Sequence, residues 1–315
     1  MSSGVVLWSI AYSCAAIIIV SGNSLAIAAF FTSKKLMRMR ASYFLVSLAV
    51  ADMLIGIITI PMYIALLHYH VVSKEYQSVF TAVDIASGSA SVFTLTTISI
   101  ERLYSFWFPL HYRANNAPRT YLGVVAGVWC LSGIITTLHI LYRYHIISYT
   151  HFFYVMMSAL SFCLLAMCMA YVGIFLRVRK HYRQNQCAQR NERRFVYMLF
   201  TITALFVVTW LPFHLLNIVN FFCDFCLIKS LPHQLLFACK FLHYTNSLVN
   251  PIIYSFQMPE FKKTVKSLVG CAARGDESRR VEEIPLARMR KRDDADTTQV
   301  YTSQGTIKGP DAHTG

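Results

Sequence analysis

Five ionisable side chains stand inside long apolar stretches of this chain: Asp52, Asp84, His214, Lys240 and His243. A charge in an apolar helix is expensive and is kept where it meets a partner, an ion or a ligand. Asp84, Ser91 and Arg102 are separated by seven and eleven residues. Those are near-integral numbers of helical turns, so the three share one stripe. The stripe has an anion near one end and a cation at the other, and it must face other protein. Lys240 lies one turn before Tyr244 and at the level of Asp84, where it could neutralise the carboxylate. His214 and His243 are either proton-sensitive groups or satisfied core histidines. Pro61, Pro212 and Pro251 interrupt three of the apolar stretches. Each removes a backbone hydrogen bond and tends to kink its helix. Around Pro212 stand Phe206, Trp210 and Phe213, an aromatic cluster suited to a hinge.

Membrane helices must position these groups. The chain has 315 residues, of which 56% are hydrophobic and only 14% charged. Soluble domains carry about 25% charged residues, so this composition argues against a soluble enzyme, a secreted disulfide scaffold or a nucleic-acid binder. Seven apolar runs, near 5–32, 41–67, 78–108, 120–141, 149–176, 195–222 and 234–256, are long enough to span a bilayer. The net charge of +14 is distributed unevenly. All but four of the 29 basic residues follow spans one, three, five and seven or, as Arg102, stand at the inner end of span three; the exceptions are Lys74, Arg143, Lys229 and Lys240. The positive-inside rule puts that basic side, with the C-terminal tail, in the cytoplasm and the N-terminus outside. The basic excess is a topology signal and a lipid-facing collar, with no nucleic-acid role. The fold expected is an all-α seven-transmembrane helix bundle over 1–256. A short amphipathic cytoplasmic helix follows at 257–271, then a disordered tail at 272–315. Cys271 is a candidate palmitoylation site.

A series of motifs in chain order resembles the rhodopsin-like (class A) G-protein-coupled receptors over residues 15–271. They are Gly22-Asn23, Leu48-Ala49-Val50-Ala51-Asp52, Glu101-Arg102-Leu103 with Pro109-Leu110, and Trp129. Tyr171, Trp210-Leu211-Pro212, Asn250-Pro251-Ile252-Ile253-Tyr254 and Phe261 complete them. The resemblance implies that an extracellular small ligand drives span six outward and activates a heterotrimeric G protein. Asp52, Ser91, Asn246, Ser247 and Asn250 then match a sodium pocket, with a hydrated polar network as the alternative. Arg102 and Glu192 match an inactive-state ion pair. Tyr171, Phe206, Pro212 and Tyr254 match the moving switch, and Leu110 the knob that meets the G protein. Arrestin, a receptor kinase and membrane lipids are further implied partners. No enzymatic cofactor is implied.

Two ligand signals conflict. Asp84 and Tyr244 match residues that hold the ammonium of biogenic amines. Trp210, Phe213, His214, Asn217, His243 and the pair Cys223–Cys226 are similar to the adenosine receptors, where the asparagine reads an adenine and the cysteines form a small disulfide. Lys240 completes the expected ligand set, as a partner of Asp84. Departures narrow the field. Gln77 stands where the family usually has a cysteine, and the stretch Tyr142–Tyr149 has none, so the usual outer disulfide is missing. Leu103, Cys163 and Thr209 replace a tyrosine, a proline and a cysteine. Some adenosine, cannabinoid and melanocortin receptors share such departures. A peptide or lipid receptor of the same fold is therefore the alternative, and a small-solute transporter a more distant one. No internal repeat supports a transporter, and no H-E-x-x-H or intramembrane Ser/His dyad supports an enzyme.

Overall fold

The computed structural model describes residues 3–69, 73–114, 118–181, 189–223 and 232–270. The chain divides into two compact units, Met1–Val265 and Lys266–Gly315. In the second unit the described residues, 266–270, are helical. Among the described residues the first unit is a bundle of seven long helices. They are α1 (Ser3–Thr32), α2 (Ser42–His68), α3 (Lys74–Trp107), α4 (Pro118–Arg143), α5 (Tyr149–His181), α6 (Gln189–Phe222) and α7 (His233–Gln257). A further helix, α8, begins at 259. Single short helices, Lys34–Met37 and Pro109–Ala114, follow α1 and α3.

Among the described residues, six helices are long and apolar enough to cross a membrane. The seventh, α7, carries Lys240, His243, Asn246 and Asn250, which lower its hydropathy and are all buried. It packs between α1 and α6 and against α2, so its polar groups face protein and not lipid. The Tyr12 hydroxyl donates to the Phe237 carbonyl at 2.7 Å, and the Asn23 amide donates to the Ser247 carbonyl at 3.1 Å.

The helix at the centre is α3, which packs on α2, α4 and α5. Its hydroxyls explain how so polar a helix sits there. Ser87, Ser89, Thr94, Thr96 and Ser99 each donate to the carbonyl four residues earlier, at 2.6–2.9 Å. Their polar atoms are thereby satisfied within the helix itself. Ser89 also meets the Ser132 hydroxyl of α4 at 2.8 Å, and Trp129 of α4 donates to Ser47 of α2 at 3.0 Å.

Before Pro61, α2 widens into one π-helical stretch, Ile55–Thr59. Such stretches insert an extra residue per turn and shift the helix face. Gly56 lies in it, against α1. A β-carbon there would come 2.8 Å from Val20 Cγ2 and 3.3 Å from the Ala16 carbonyl oxygen. Gly56→Ala is therefore expected to push α1 and α2 apart at a cost of about 1–3 kcal/mol. The check is the thermal midpoint of purified receptor, and an unchanged midpoint would show that the contact is slack.

Between α4 and α5 the connection is only 144–148. It is held by a helix-ending motif: the Ile146 amide donates to the Leu141 carbonyl at 2.9 Å and that of His145 to Tyr142 at 3.0 Å, with His145 at φ 59°. An aromatic clasp gathers the adjoining helix ends. Phe153 of α5 stacks on Phe221 of α6 at 3.7 Å, Tyr149 lies 5.7 Å from Phe221, and Tyr142 of α4 stacks on Phe152 at 5.9 Å. Stacked and tilted rings add about 0.5–1.5 kcal/mol per pair beyond the area they bury.

At the other end Phe261 of α8 is fully buried against Phe30 and Tyr254, at 5.8 and 5.7 Å. Glu260 accepts from Lys35 at 2.6 Å, which holds its carboxyl below the usual range. Lys35 is 72% exposed, so this pair contributes little to stability.

Candidate functional site

A cavity of about 340 Å³ opens between α3, α4, α5, α6 and α7. Asp84, Trp210, Phe213, His214, Asn217 and His243, all singled out from sequence, line it. The Trp210 ring lies 5.2 Å from Phe206 and 4.4 Å from His243, and Phe213 is 4.9 Å from His243. These contacts make one continuous aromatic wall across α6 and α7. One amide hydrogen of Asn217 is spent on the Phe213 carbonyl at 2.8 Å. The amide oxygen and second hydrogen remain for another partner.

Asp84 is already engaged. Lys240 Nζ donates to Asp84 Oδ2 at 2.7 Å, and the two side chains are only 8% and 15% exposed. Phe213 and Tyr244 wrap the ammonium, with ring centroids 4.2 and 4.8 Å from Nζ. An ammonium inside such a cage is held by the ring quadrupoles as well as the carboxylate. Asp84 lines the cavity, whereas Lys240 and Tyr244, both expected to meet the ligand, are not among its lining residues. Tyr244 is fully buried and packs edge-on against Tyr12 and Tyr63, at 6.1 and 5.9 Å.

Sequence reasoning did not foresee the contribution of α4. Its residues His139, Tyr142 and Arg143 also line the cavity, beside Gln77 and Thr81 of α3 and Phe152 of α5. The only signal in the chain was that Arg143 is one of the few basic residues apart from the basic collar.

Deeper in the bundle, Asp52 is fully buried and accepts from the Asn250 amide at 2.7 Å. The Ser91 and Ser247 side chains stand beside the same carboxylate. Asp52 Oδ1, Ser91 Oγ, Ser247 Oγ and Asn23 Oδ1 are all buried without a hydrogen-bond partner. Asn246 is buried too. Orphaned oxygens around one carboxylate are the donor set a hard monovalent cation takes, so the residues present fit sodium.

At the α8 end, Arg102 is held by its neighbour. Its Nη2 donates to Glu101 Oε1 at 2.7 Å and its Nε to Oε2, and Nη2 also reaches the Tyr112 hydroxyl at 3.2 Å. Tyr112 in turn donates to Glu101, and the Arg40 guanidinium lies 3.9 Å over its ring. Burial raises the Tyr112 phenol above its ordinary value and keeps it a donor. Tyr112 and Arg40 are thus parts of this cluster that sequence reasoning missed. The side chain of Glu192, expected to pair with Arg102, lies outside the described residues.

The other switch residues are placed as follows. The Tyr171 and Ser99 hydroxyls lie 3.3 Å apart. Phe206 and Tyr254 are buried, Pro212 is interior to α6, and Leu110 is 82% exposed. Cys223 is disulfide-bonded. Cys226 and Cys271 lie outside the described residues, as does the tail from 271.

Two relations to known proteins follow from this arrangement. The family model for the 7 transmembrane receptor (rhodopsin family) matches residues 22–254. The chain belongs to that family: it is a multi-pass membrane receptor that signals through heterotrimeric G proteins, and it is not an enzyme. Among curated proteins it is 25% identical over 295 residues to adenosine receptor A2a of Canis lupus familiaris, covering 81% of this chain and 70% of that one. It is 27% identical over 300 residues to 5-hydroxytryptamine receptor 4 of Cavia porcellus, covering 80% and 76%. It is also 28% identical over 287 residues to 5-hydroxytryptamine receptor 6 of Rattus norvegicus, covering 75% and 64%.

Proposed function

We propose that this receptor sits in the plasma membrane with its N-terminus outside, and that its ligand is a small, flat heteroaromatic molecule of the adenosine-like kind. The observation that carries the reading is the Asp84–Lys240 contact at 2.7 Å. It supplies Asp84 with a cation from the chain itself, which leaves no free anion to attract an amine. The cavity instead offers aromatic faces at Trp210 and Phe213 and hydrogen-bonding edges at Asn217, His214 and His243. That combination suits a planar ring with donors and acceptors on its rim. Its volume is of the size that small-molecule sites take, and small for a peptide.

The amine reading keeps one observation in its favour. Asp84 faces the cavity, so a ligand ammonium could take the place of Lys240 Nζ. It would then have to displace a lysine already caged by two rings.

Ligand binding against Trp210 acts on α6 directly and on Phe206 one turn away, and outward movement of α6 admits the G protein beside Arg102 and Leu110. Tyr171 and Tyr254 turn toward Arg102 in that state. Asp52, Ser91, Asn246, Ser247 and Asn250 would hold a sodium ion, which would neutralise the buried carboxylate in the resting arrangement. Arrestin and a receptor kinase act on the cytoplasmic side, where anionic lipids meet the basic collar.

The test is G-protein activation in cells at matched surface expression, over a panel of nucleosides and biogenic amines. Asn217→Ala is expected to raise the half-maximal concentration of a nucleoside by tenfold or more, a loss of about 1.4 kcal/mol. A response to an amine, unchanged by Asn217→Ala, would overturn the heteroaromatic reading.

A further inference from the structure

The cavity has two poles of different chemistry. The α6–α7 pole is the aromatic wall just described. The pole between α3 and α4 is built from Arg143, His139, Tyr142, Gln77 and Thr81. Of the charged residues on the cavity wall, Asp84 is neutralised by Lys240 at 2.7 Å. Arg143 has no such partner: among the described residues no carboxylate lies within ion-pair distance of it. It donates one hydrogen bond, from Nη2 to the Lys74 carbonyl at 3.0 Å. A guanidinium has five N–H donors in a planar fork, so most of its donor capacity is uncommitted. Glu75 interacts with Arg143 electrostatically but is exposed to solvent on the first turn of α3. Screening in water makes that interaction weak.

One turn of α4 before Arg143 stands His139, 3% exposed, with Nδ1 buried and lacking any hydrogen-bond partner. Its ring is fixed between Tyr142 and Phe152, at 6.2 and 5.5 Å. A buried ring nitrogen without a partner in the wall of a cavity is costly unless a ligand satisfies it. Gln77 adds an amide on the facing helix, while the Thr81 hydroxyl hydrogen is spent on the Gln77 carbonyl at 2.8 Å.

We propose that this pole is an anion subsite, and that the ligand carries a carboxylate seated against Arg143 and His139 while its ring lies against Trp210 and Phe213. The inference rests on the cavity being the ligand site for a heteroaromatic molecule and names the second group of that molecule. A carboxylate takes two parallel N–H donors from a guanidinium, a bond roughly twice as strong as a neutral one. The imidazole of His139 adds a donor from α4 in the tautomer that carries its proton on the nitrogen facing the ligand. The lining between the poles, Ile85, Phe93, Met156 and Met157, is apolar.

Matched probes separate the two poles. Purified full-length receptor is titrated with indole-3-acetic acid against indole-3-acetamide, and with adenosine-5′-carboxylic acid against its carboxamide, following the thermal midpoint to obtain apparent affinities. At least one acid is expected to bind the wild type tenfold or more tightly than its own amide. In Arg143→Gln that preference is expected to fall to about unity, with the affinity of the amide unchanged. In Arg143→Lys, which keeps the charge and loses the planar fork, it is expected to shrink several-fold. His139→Phe is expected to weaken the acid and spare the amide.

Equal binding of acid and amide to the wild type would overturn the anion subsite and leave the ring site standing. An acid preference that survives Arg143→Gln, or an undiminished one in Arg143→Lys should the glutamine variant not fold, would also overturn it. Binding of neither member of either pair would count against both the subsite and the heteroaromatic reading.

Discussion

Lys240→Met is expected to lower the stability of the receptor by about 1–3 kcal/mol, the cost of leaving a part-buried carboxylate on the cavity wall without its partner. Asp84→Leu should cost a similar amount for the mirror-image reason. The double variant Asp84→Leu/Lys240→Met should be far closer to wild type than either single variant, because no charge then remains to be desolvated. The physical basis is the 2.7 Å contact between two side chains that are only 8% and 15% exposed. The pair also ties α3 to α7 beside the aromatic wall. Each single variant is accordingly expected to raise ligand-free G-protein activation several-fold at matched surface expression. Thermal midpoints of the four proteins in one detergent form a double-mutant cycle. Additive losses across that cycle would show that the contact carries no coupling and would remove the main argument against an amine ligand.

That contact was one of two alternatives that the chain itself left open. A lysine one turn before Tyr244 and an aspartate near the start of span three put both charges at one level of the bundle. Periodicity, however, cannot say whether they meet each other or each meets something else. The spans were legible for a simpler reason: apolar length and the sidedness of arginine and lysine are properties of composition along the chain. The least apolar helix, α7, was still readable because its polar residues recur at helical spacing and carry the Asn250-Pro251 motif.

What remained hidden depends on three-dimensional proximity between residues of unremarkable type. Nothing in the run Ile55–Thr59 marks a π-helical turn, since the widening answers both the proline that follows and the close approach of α1 at Gly56. Glu101, its own neighbour, engages Arg102 through both carboxylate oxygens, a contact that no motif spacing announced. Tyr112, which bonds that glutamate, falls in a short helix that carries no family motif. The same holds for Arg143 and His139. As isolated residues at a helix end they have no evident partner, and only the cavity between α3 and α4 relates them.

The aromatic clasp shows how a missing covalent tie can be offset. No cysteine stands at the start of α3 or in the stretch joining α4 to α5. A disulfide would limit the freedom of the unfolded chain and pin the loop. Here the loop is instead shortened to 144–148, with little freedom to lose. The stacked pair Phe153–Phe221 joins α5 to α6 directly. Aromatic stacking is weaker than a covalent bond and can slide, so this end of α6 stays able to move with the ligand below it.

Sodium is expected to raise the thermal midpoint of the wild-type receptor, and Asp52→Asn to abolish that rise. Asp52 is fully buried, and of its two oxygens only Oδ2 has a partner, the Asn250 amide at 2.7 Å. Oδ1 and the neighbouring Ser91 and Ser247 hydroxyl oxygens are orphaned. A cation at that point converts several unsatisfied acceptors into ligands and cancels a buried charge. A ligand that binds only the folded state contributes about 2.7 kcal/mol when present at 100 times its dissociation constant. Replacement of sodium by potassium at constant ionic strength separates occupancy of the pocket from screening. The larger ion is expected to fit poorly among the five side chains of the pocket and to give at most a small shift. Ser91→Ala and Ser247→Ala each remove one oxygen and are expected to weaken the sodium response without eliminating it, since the carboxylate remains. Equal midpoints in sodium and potassium would show that the orphaned oxygens are met by water and that Asp52 belongs to a hydrated network.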